Sequence, residues 1–529
     1  MNFLYSQPAN QAWAKYANNA DPKWWKDRGL TMSMLVIFAI WLTQSTDGYD
    51  KSLTSSIQSM TAWKTAMGKP NAHSLGLINA SLSMGGLVFA VPASYIEDWF
   101  GRRAGIFFGM VLLLAGSIIQ SAANSVGVFT GGRVLVGAGI AAAVTCAPIL
   151  CQEISHPRMR GQVASLYNVM FNFGAIFVTW IAYGTAYLGN NQWAWRIPTI
   201  GQNVPCLLVL LALPWIPESP RWLVQKGKVD EAHQILAKYH ANGKMDDELV
   251  LFELSEIREA VQLEKDSRLS WVQCFATPGN RKRFLLLTLV SIVTNWNGKA
   301  IVTYYFSSVL KLIGITQQTH VTGFNAGIQV FNLVATLIGA GVCESWGRRR
   351  VWLSAFGIMV VANVIQTACS AAYAHHASSG AGIGTLVGVF LYSFGFDLAC
   401  NPLLFTYEVE IMTLGLRSKG LAWAVTLNNG QGVAISYANS VGLAALGWKF
   451  YLVYLALLIV FIVIIYFFFP ETSGKTLEEV AVMFDGEDSL LYIRNHAEMD
   501  MSAAGVGSAG VGYISQVVGG NDTKLTEKV

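Results

Sequence analysis

Charge is what this sequence has least of. Asp, Glu, Lys and Arg make up 13% of its 529 residues, about half the ~25% usual in soluble domains, while 53% are hydrophobic. A mean hydropathy of +0.41 points the same way, and together these exclude an ordinary soluble enzyme. The net charge is only +4 and spread along the chain, which argues against nucleic acid as a partner. The seven cysteines contain no CxxC spacing, and Cys146, Cys206, Cys369 and Cys400 lie inside apolar stretches. They read as small packing residues, not as a disulfide framework or a metal site. Glycine, at 50 residues, has no G-x-y period; collagen is excluded, and closely packed membrane helices suit it. The first 29 residues carry Lys15, Lys23, Lys26 and Arg28 without an apolar core and small-residue cleavage site, so no removable signal peptide is expected.

Catalytic signals are missing too. Gly474-Lys475-Thr476 resembles the end of a phosphate loop, but position 469 is Phe where the first glycine belongs. Gly380, Gly382 and Gly384 follow no strand, and His375-His376 lacks further ligands at zinc spacing. No enzyme activity, metal or cofactor is expected.

What is present is a series of long apolar stretches. They run near 30–53, 75–96, 104–123, 126–150, 162–188 and 196–217, then near 284–308, 320–343, 351–374, 381–407, 418–444 and 448–469. Each reaches the roughly 20 residues a helix needs to cross a bilayer, and all are too long for barrel strands. The expectation is an all-α integral membrane protein with twelve transmembrane helices in two six-helix bundles, 30–217 and 283–470. Between them, residues 218–282 hold 21 charged side chains in 65 positions. Helical spacing over Val229–Tyr239 and Asp247–Glu264, with Leu249, Phe252, Ile257 and Val261 as a weak apolar stripe, predicts a helical linker. Tails at 1–29 and 471–529 complete the chain, the last part disordered by composition. Most Lys and Arg fall on the side that would hold both termini and the linker, which predicts a cytoplasmic location for them.

The two halves repeat each other. Glu97-Asp98-Trp99-Phe100-Gly101-Arg102-Arg103 follows the second stretch, and Glu344-Ser345-Trp346-Gly347-Arg348-Arg349-Arg350 follows the eighth. Glu153 lies seven residues before Arg160, and Glu410 seven before Arg417. Such duplicated halves are the arrangement of secondary transporters.

These acidic-x-x-Gly-Arg-Arg loops occur with the Gly132-Arg133-x3-Gly137-x-Gly139 run and with two further motifs, Pro217-Glu218-Ser219-Pro220-Arg221 and Pro470-Glu471-Thr472-Ser473-Gly474. Jointly they resemble the sugar-porter family of the major facilitator superfamily over about residues 30–485. Gly48-Tyr49-Asp50, Tyr239-His240-Ala241-Asn242-Gly243 and Tyr407-x-x-Glu410 further resemble fungal lactose-permease-like and hexose transporters. The resemblance implies the major facilitator fold in a plasma membrane and alternating access to a central site. It also implies a sugar-like solute and protons as partners, beside the lipid bilayer.

Physically, the charged loops can form a cytoplasmic gate. Asp98 and Glu344 would meet helix ends and neighbouring arginines, while Arg102, Arg103, Arg348 and Arg349 would face Glu153, Glu410 and Glu218, with Arg160 and Arg417 completing the set. Each exposed pair contributes only about 0–1 kcal/mol, so the network must act together.

Ionisable residues at bilayer depth usually face a cavity or a partner. Asp50 stands where proton-coupled relatives carry an acid in the first helix, and Arg133 matches their arginine in the fourth, so this pair is the expected proton-coupling device. By position in the resemblance, Asn168, Asn295, Asn297, Tyr304, Tyr305, Asn332, Asp397, Phe405 and Asn428 would bind the solute, amides meeting hydroxyls and rings stacking on the sugar face. The chain departs from the family where Asn295-Trp296-Asn297-Gly298-Lys299 stands in place of Gln-x-Ser-Gly-Asn. Lys299 shares a helix face with Asn295, four residues away. With Asp47 as its expected partner the site would be neutral and suit a mono- or disaccharide; otherwise Lys299 would read an acidic sugar or organic acid. Passive uniport and non-transporting nutrient sensing are the alternatives to symport.

Overall fold

A computed structural model describes residues 16, 18, 23–266, 271–302, 309–310, 313–376, 379–412, 416–472 and 483–484. Tyr304 and Tyr305 lie outside the described residues, as do the side chains of Glu344, Phe405 and Arg417.

Asp27 starts the first spanning helix by accepting from the Leu30 N–H at 3.1 Å, satisfying one of the four donors a helix start leaves free. That helix, α1, covers Arg28–Ile57. It is followed by α2 (Ala72–Phe100), α3 (Arg102–Ala122), α4 (Val126–Ile154) and α5 (Arg160–Ala186). The sixth, α6, spans Trp193–Trp215 in two pieces, Trp193–Gly201 and Asn203–Ala212. Thr277 caps α7, Pro278–Val302, whose regular part ends at Asn295. Then come α8 (Gln318–Trp346), α9 (Arg348–His376), α10 (Ser379–Ile411), α11 (Arg417–Leu446) and α12 (Phe450–Phe468). Among the described residues, eleven segments are long and apolar enough to cross a membrane, and the last of these, Lys419–Phe468, covers α11 from its third residue and all of α12.

The first six helices and the last six each enclose two apolar cores. One set runs through Ile37, Met110, Leu150 and Val209, with a second around Trp63, Phe129 and Trp195. The other runs through Val290, Trp352, Phe356 and Phe461, with a second around Leu310, Val389 and Tyr454. Outside, Leu35, Val88, Phe177, Trp215 and Phe467 are exposed, a belt of apolar surface that a bilayer solvates and water does not. The halves meet along two seams, α2 against α11 and α5 against α8.

Helices Val229–His240 and Glu248–Asp266 occupy the polar interruption and close a small core of Leu223, Leu236, Val250 and Leu254. The face that carries them also carries the start of α1 and the end of α12, and is called the linker face below. His240 docks this layer: it lies buried, with Nε2 2.9 Å from the Ile154 carbonyl at the end of α4 and Nδ1 2.6 Å from Glu253. Burial alone would lower the His240 pKa, but the Glu253 carboxylate outweighs it and the net shift is upward.

Candidate functional site

Buried charge comes first. Asp50 on α1 and Arg133 on α4 are both fully buried, 3.6 Å apart. Arg133 also donates to the Ile78 carbonyl at 3.0 Å and to Thr54 Oγ1. The Gln202 amide, from the joint between the two pieces of α6, donates to Asp50 at 3.3 Å. A guanidinium can sit in such a place only if its donors find acceptors on several elements. Thr54 and Gln202 carry no charge and no motif, so the sequence offered no sign of them.

The second half holds its own pair. Lys299 on α7 stands 3.6 Å from Asp397 on α10. Asn332 on α8, with its amide turned to place Nδ2 toward Asp397, donates to the same carboxylate at 3.1 Å. The Gly298 backbone has φ +92°, a left-handed conformation that glycine adopts without cost. It breaks α7 here and frees the Asn297 side chain to bond locally, accepting from the Lys299 N–H at 2.9 Å and donating to the Thr294 carbonyl at 2.7 Å. Asn297 is wholly buried, its amide turned to Thr294 and to Cys400 Sγ of α10 at 3.9 Å, so it lines no opening in this conformation.

Asp47 does not serve Lys299. One turn before Lys51 on α1, it pairs with that lysine at 2.9 Å, because residues four apart on a helix are neighbours.

Polar side chains continue beside the seams. On the α7–α11 side, Asn428 Oδ1 accepts from Ser291 at 2.6 Å and from Asn295 at 2.7 Å, and Gln431 donates to Ser291 at 3.1 Å. On the α5–α8–α10 side, Thr336 accepts from Asn172 at 3.2 Å and from Asn401 at 3.3 Å. Asn168 lies one helical turn before Asn172 on α5 and is half-buried. Ser291, Gln431, Asn172, Thr336 and Asn401 were not among the expected residues. A helical spacing of three or four from Asn295, Asn428, Asn168, Asn332 and Asp397 is the signal that would have found them.

The linker face carries the same cluster twice. Glu218, just after α6, accepts from the backbone N–H of Arg102 at 3.0 Å and of Arg103 at 3.3 Å, capping α3. Glu471, just after α12, accepts from the N–H of Arg348 at 2.8 Å and of Arg349 at 3.1 Å, capping α9. Helix starts favour an anion in this way. Gly101 and Gly347, at φ +97° and +89°, precede these helices, and a Cβ on either would collide with the carboxylate it faces. Burial pushes the Glu218 carboxyl up, while the N–H bonds from Ser219, Arg103 and Arg102 pull it back. Beside the caps, Arg102 lies 3.4 Å from Glu97 and 3.8 Å from Glu153, and Arg348 lies 2.9 Å from Glu410. Ser219 bonds Glu153, and Thr472 bonds Glu410 at 2.6 Å.

Several expectations about this network need correction. Asp98 is exposed, and Glu97, one residue earlier and turned inward, meets Arg102 in its place. Arg103 and Arg349 reach a carboxylate through their backbone N–H groups; the Arg349 guanidinium instead bonds the Tyr466 carbonyl and lies over that ring. Arg160, placed in the gate, pairs instead with Glu253 of the linker at 3.4 Å. Glu471 was missed as the counterpart of Glu218, although Pro-Glu-Ser and Pro-Glu-Thr end the two halves alike. These bonds also hold each half together internally.

Hydrogen bonds between the halves gather at the opposite face. Asn325 on α8 donates to Ser56 of α1 at 2.8 Å, His73 meets Tyr437 at 2.8 Å, and Ser440 donates to the Ala72 carbonyl at 2.5 Å. Gln318 bonds both the Thr61 N–H and the Ala186 carbonyl at 3.2 Å. Asn172–Thr336 crosses at mid-depth.

Comparison with known proteins matches this architecture. Residues 36–484 fit the model of the sugar (and other) transporter family. The high-affinity glucose transporter of Kluyveromyces lactis is 28% identical over 461 residues, covering 83% of this chain and 82% of that one. The galactose-proton symporter of Escherichia coli K12 is 26% identical over 418 residues, covering 77% and 86%. The partially occluded inward-open conformation of the xylose transporter XylE from E. coli superposes with a TM-score of 0.71 at 21% identity, covering 84% of this chain and all of that one. With two six-helix bundles sharing the XylE fold and a family match over most of its length, the chain belongs to the sugar (and other) transporter family, which consists of carriers and not enzymes.

Proposed function

We propose that this protein carries a sugar or sugar-like solute across a membrane together with protons, by alternating access. The observation that carries the reading is the uneven fastening of the two halves. Their mutual hydrogen bonds gather at the face opposite the linker, at α1–α8 and α2–α11. At mid-depth the seams hold polar side chains that can exchange their bonds for solute hydroxyls. Opening the fastened face while closing the other would expose the same groups alternately to each side. We take the linker face to be cytoplasmic, from its excess of Lys and Arg, and the membrane to be the plasma membrane.

Protons enter the reading through Asp50 and Arg133. A carboxylate sealed from water beside a guanidinium must either keep its partner or take up a proton when the pair opens. Relatives include a galactose-proton symporter, and a proton:xylose symporter shares the fold. The amides Asn168, Asn295, Asn332 and Asn428 are the solute ligands we favour. The linker-face clusters around Arg102 and Arg348 would act as rigid corners against which the halves rock.

The test is uptake of labelled hexoses into liposomes containing the purified full chain. Exchange at equal concentrations, and accumulation when the outside is made acidic, are the expected results. Binding without any flux would replace transport by nutrient sensing; flux that never exceeds equilibration would replace symport by uniport.

A further inference from the structure

The pair formed by Lys299 and Asp397 is unequal. Asp397 has two partners, Lys299 at 3.6 Å and Asn332 at 3.1 Å. Lys299 has an ammonium with three N–H donors, yet among the described residues it reaches no acceptor in hydrogen-bond range. Its other neighbour is the Phe396 ring, 5.1 Å away, a weak attraction beside a hydrogen-bonded partner. The lysine side chain keeps 12% of its surface exposed and the aspartate 4%, although the ammonium nitrogen itself is buried. Removing the lysine from Asp397 would therefore leave the acid hydrogen-bonded, whereas the lysine has donors to spare.

Position supports the same conclusion. Lys299 lies one turn beyond Asn295, which bonds Asn428 across to α11. Asp397 and Asn332 lie beside Thr336, where Asn172 of the first half makes its bond. The cation thus stands between the two amide groups proposed above to hold the solute. A compact, strongly hydrated ammonium is costly to place there for a purely neutral ligand, and an amide would serve hydroxyls as well.

We propose that Lys299 is a specificity-determining residue that recognises a carboxylate on the solute, so that the preferred substrate class is a sugar acid, a monosaccharide bearing a carboxylate. This rests on the transport reading for its site and goes beyond it in the class of solute. On binding, the solute carboxylate takes the Lys299 donors, and Asp397 keeps Asn332.

Binding in detergent solution, measured by calorimetry on the full chain, tests this separately from flux. The probes are D-galacturonate with D-galactose, and D-glucuronate with D-glucose. In the wild type at least one uronate is expected to bind tenfold or more tightly than its neutral parent. Lys299→Gln should remove that preference, lowering the ratio of uronate to parent affinity by tenfold or more, and Lys299→Arg should retain it. A wild type that binds neither uronate, or prefers both neutral parents, overturns the proposal. So does a Lys299→Gln variant that weakens acid and parent equally, or an Arg variant that behaves like Gln. Uronate binding without uptake in liposomes would instead leave the carboxylate site standing and refute the transport reading.

Discussion

In the first half, the buried ion pair joins an acid on α1 to a base on α4; in the second, a base on α7 faces an acid on α10. The duplication places α7 and α10 where α1 and α4 stand, so the same two helix positions carry charge with opposite polarity. The surroundings differ as well. Asp50 and Arg133 have no exposed surface and are hemmed in by Thr54, Ile78 and Gln202. Lys299 and Asp397 lie beside amides, Asn332 at 3.1 Å from the acid, and the lysine stem alone keeps some exposed surface. A pair hemmed in on every side suits a proton, which needs no room, whereas a pair beside amides that can exchange their bonds suits a solute. Near the linker face, by contrast, the halves agree closely: Glu218 with Arg102 and Glu153 matches Glu471 with Arg348 and Glu410.

The largest effect that would sharpen this division comes from neutralising each acid. Asp50→Asn is expected to lower pH-driven accumulation of solute in liposomes by tenfold or more while leaving exchange in place. Asp397→Asn should keep proton-driven accumulation and alter solute affinity. An Asp50→Asn variant that still concentrates solute would break the assignment of the proton to the first half.

The agreement at the linker face predicts equal penalties. Glu218→Ala strips the carboxylate from the N–H groups of Arg102 and Arg103, and from its own neighbour Ser219, and Glu471→Ala from those of Arg348 and Arg349, at a cost of about 1–3 kcal/mol for a buried donor left unpaired. Thermal unfolding should show similar losses in midpoint for both. A loss confined to one half would mean that the repeated geometry is not repeated in energy.

The linker separates the halves again, because His240, Asn242 and Glu253 bind it to Ile154, Gly29 and Arg160 of the first half. His240→Gln should loosen this docking, seen as faster protease cleavage within residues 241–247. The histidine pKa is raised by Glu253, so its stabilisation is complete below the ordinary histidine value near 6.5 and fades as pH rises through the raised value. The difference between wild type and variant should therefore shrink toward alkaline pH. A constant difference would rule out the charged form of His240 as the cause.

The smallest effect concerns Glu408, two residues before Glu410. It is fully buried, and neither carboxyl oxygen has a hydrogen-bond partner among the described residues. The register-matched residue of the first half is Cys151, buried as a small apolar group. Glu408→Leu should raise the thermal midpoint, by the equivalent of about 1 kcal/mol, because an unpaired buried polar group costs more than a packed apolar one. A lower midpoint would show that the second half depends on this carboxyl.

Composition and periodicity alone determined the all-helical membrane class, since a chain with so little charge and so many long apolar stretches has no other way to satisfy its backbone in lipid. The repeated Gly-Arg-Arg loops marked the duplication and the ends of α2 and α8, because glycine with positive φ and a basic first turn are local requirements of a sharp helix junction. Asp50 and Arg133 were also visible, being charges inside apolar runs. Tertiary structure decided the partners. Whether Lys299 met Asp47 or Asp397 depended on the packing of α7 against α10, two elements far apart in the chain, while Asp47 was captured by the nearer Lys51. Glu97 and not Asp98 turned inward because one residue rotates a helix by about 100°, which a motif does not specify. The neutral members of the site, Thr54, Gln202, Thr336 and Asn401, gained their roles only from the elements brought beside them: an uncharged polar side chain announces nothing until burial makes its hydrogen bond obligatory.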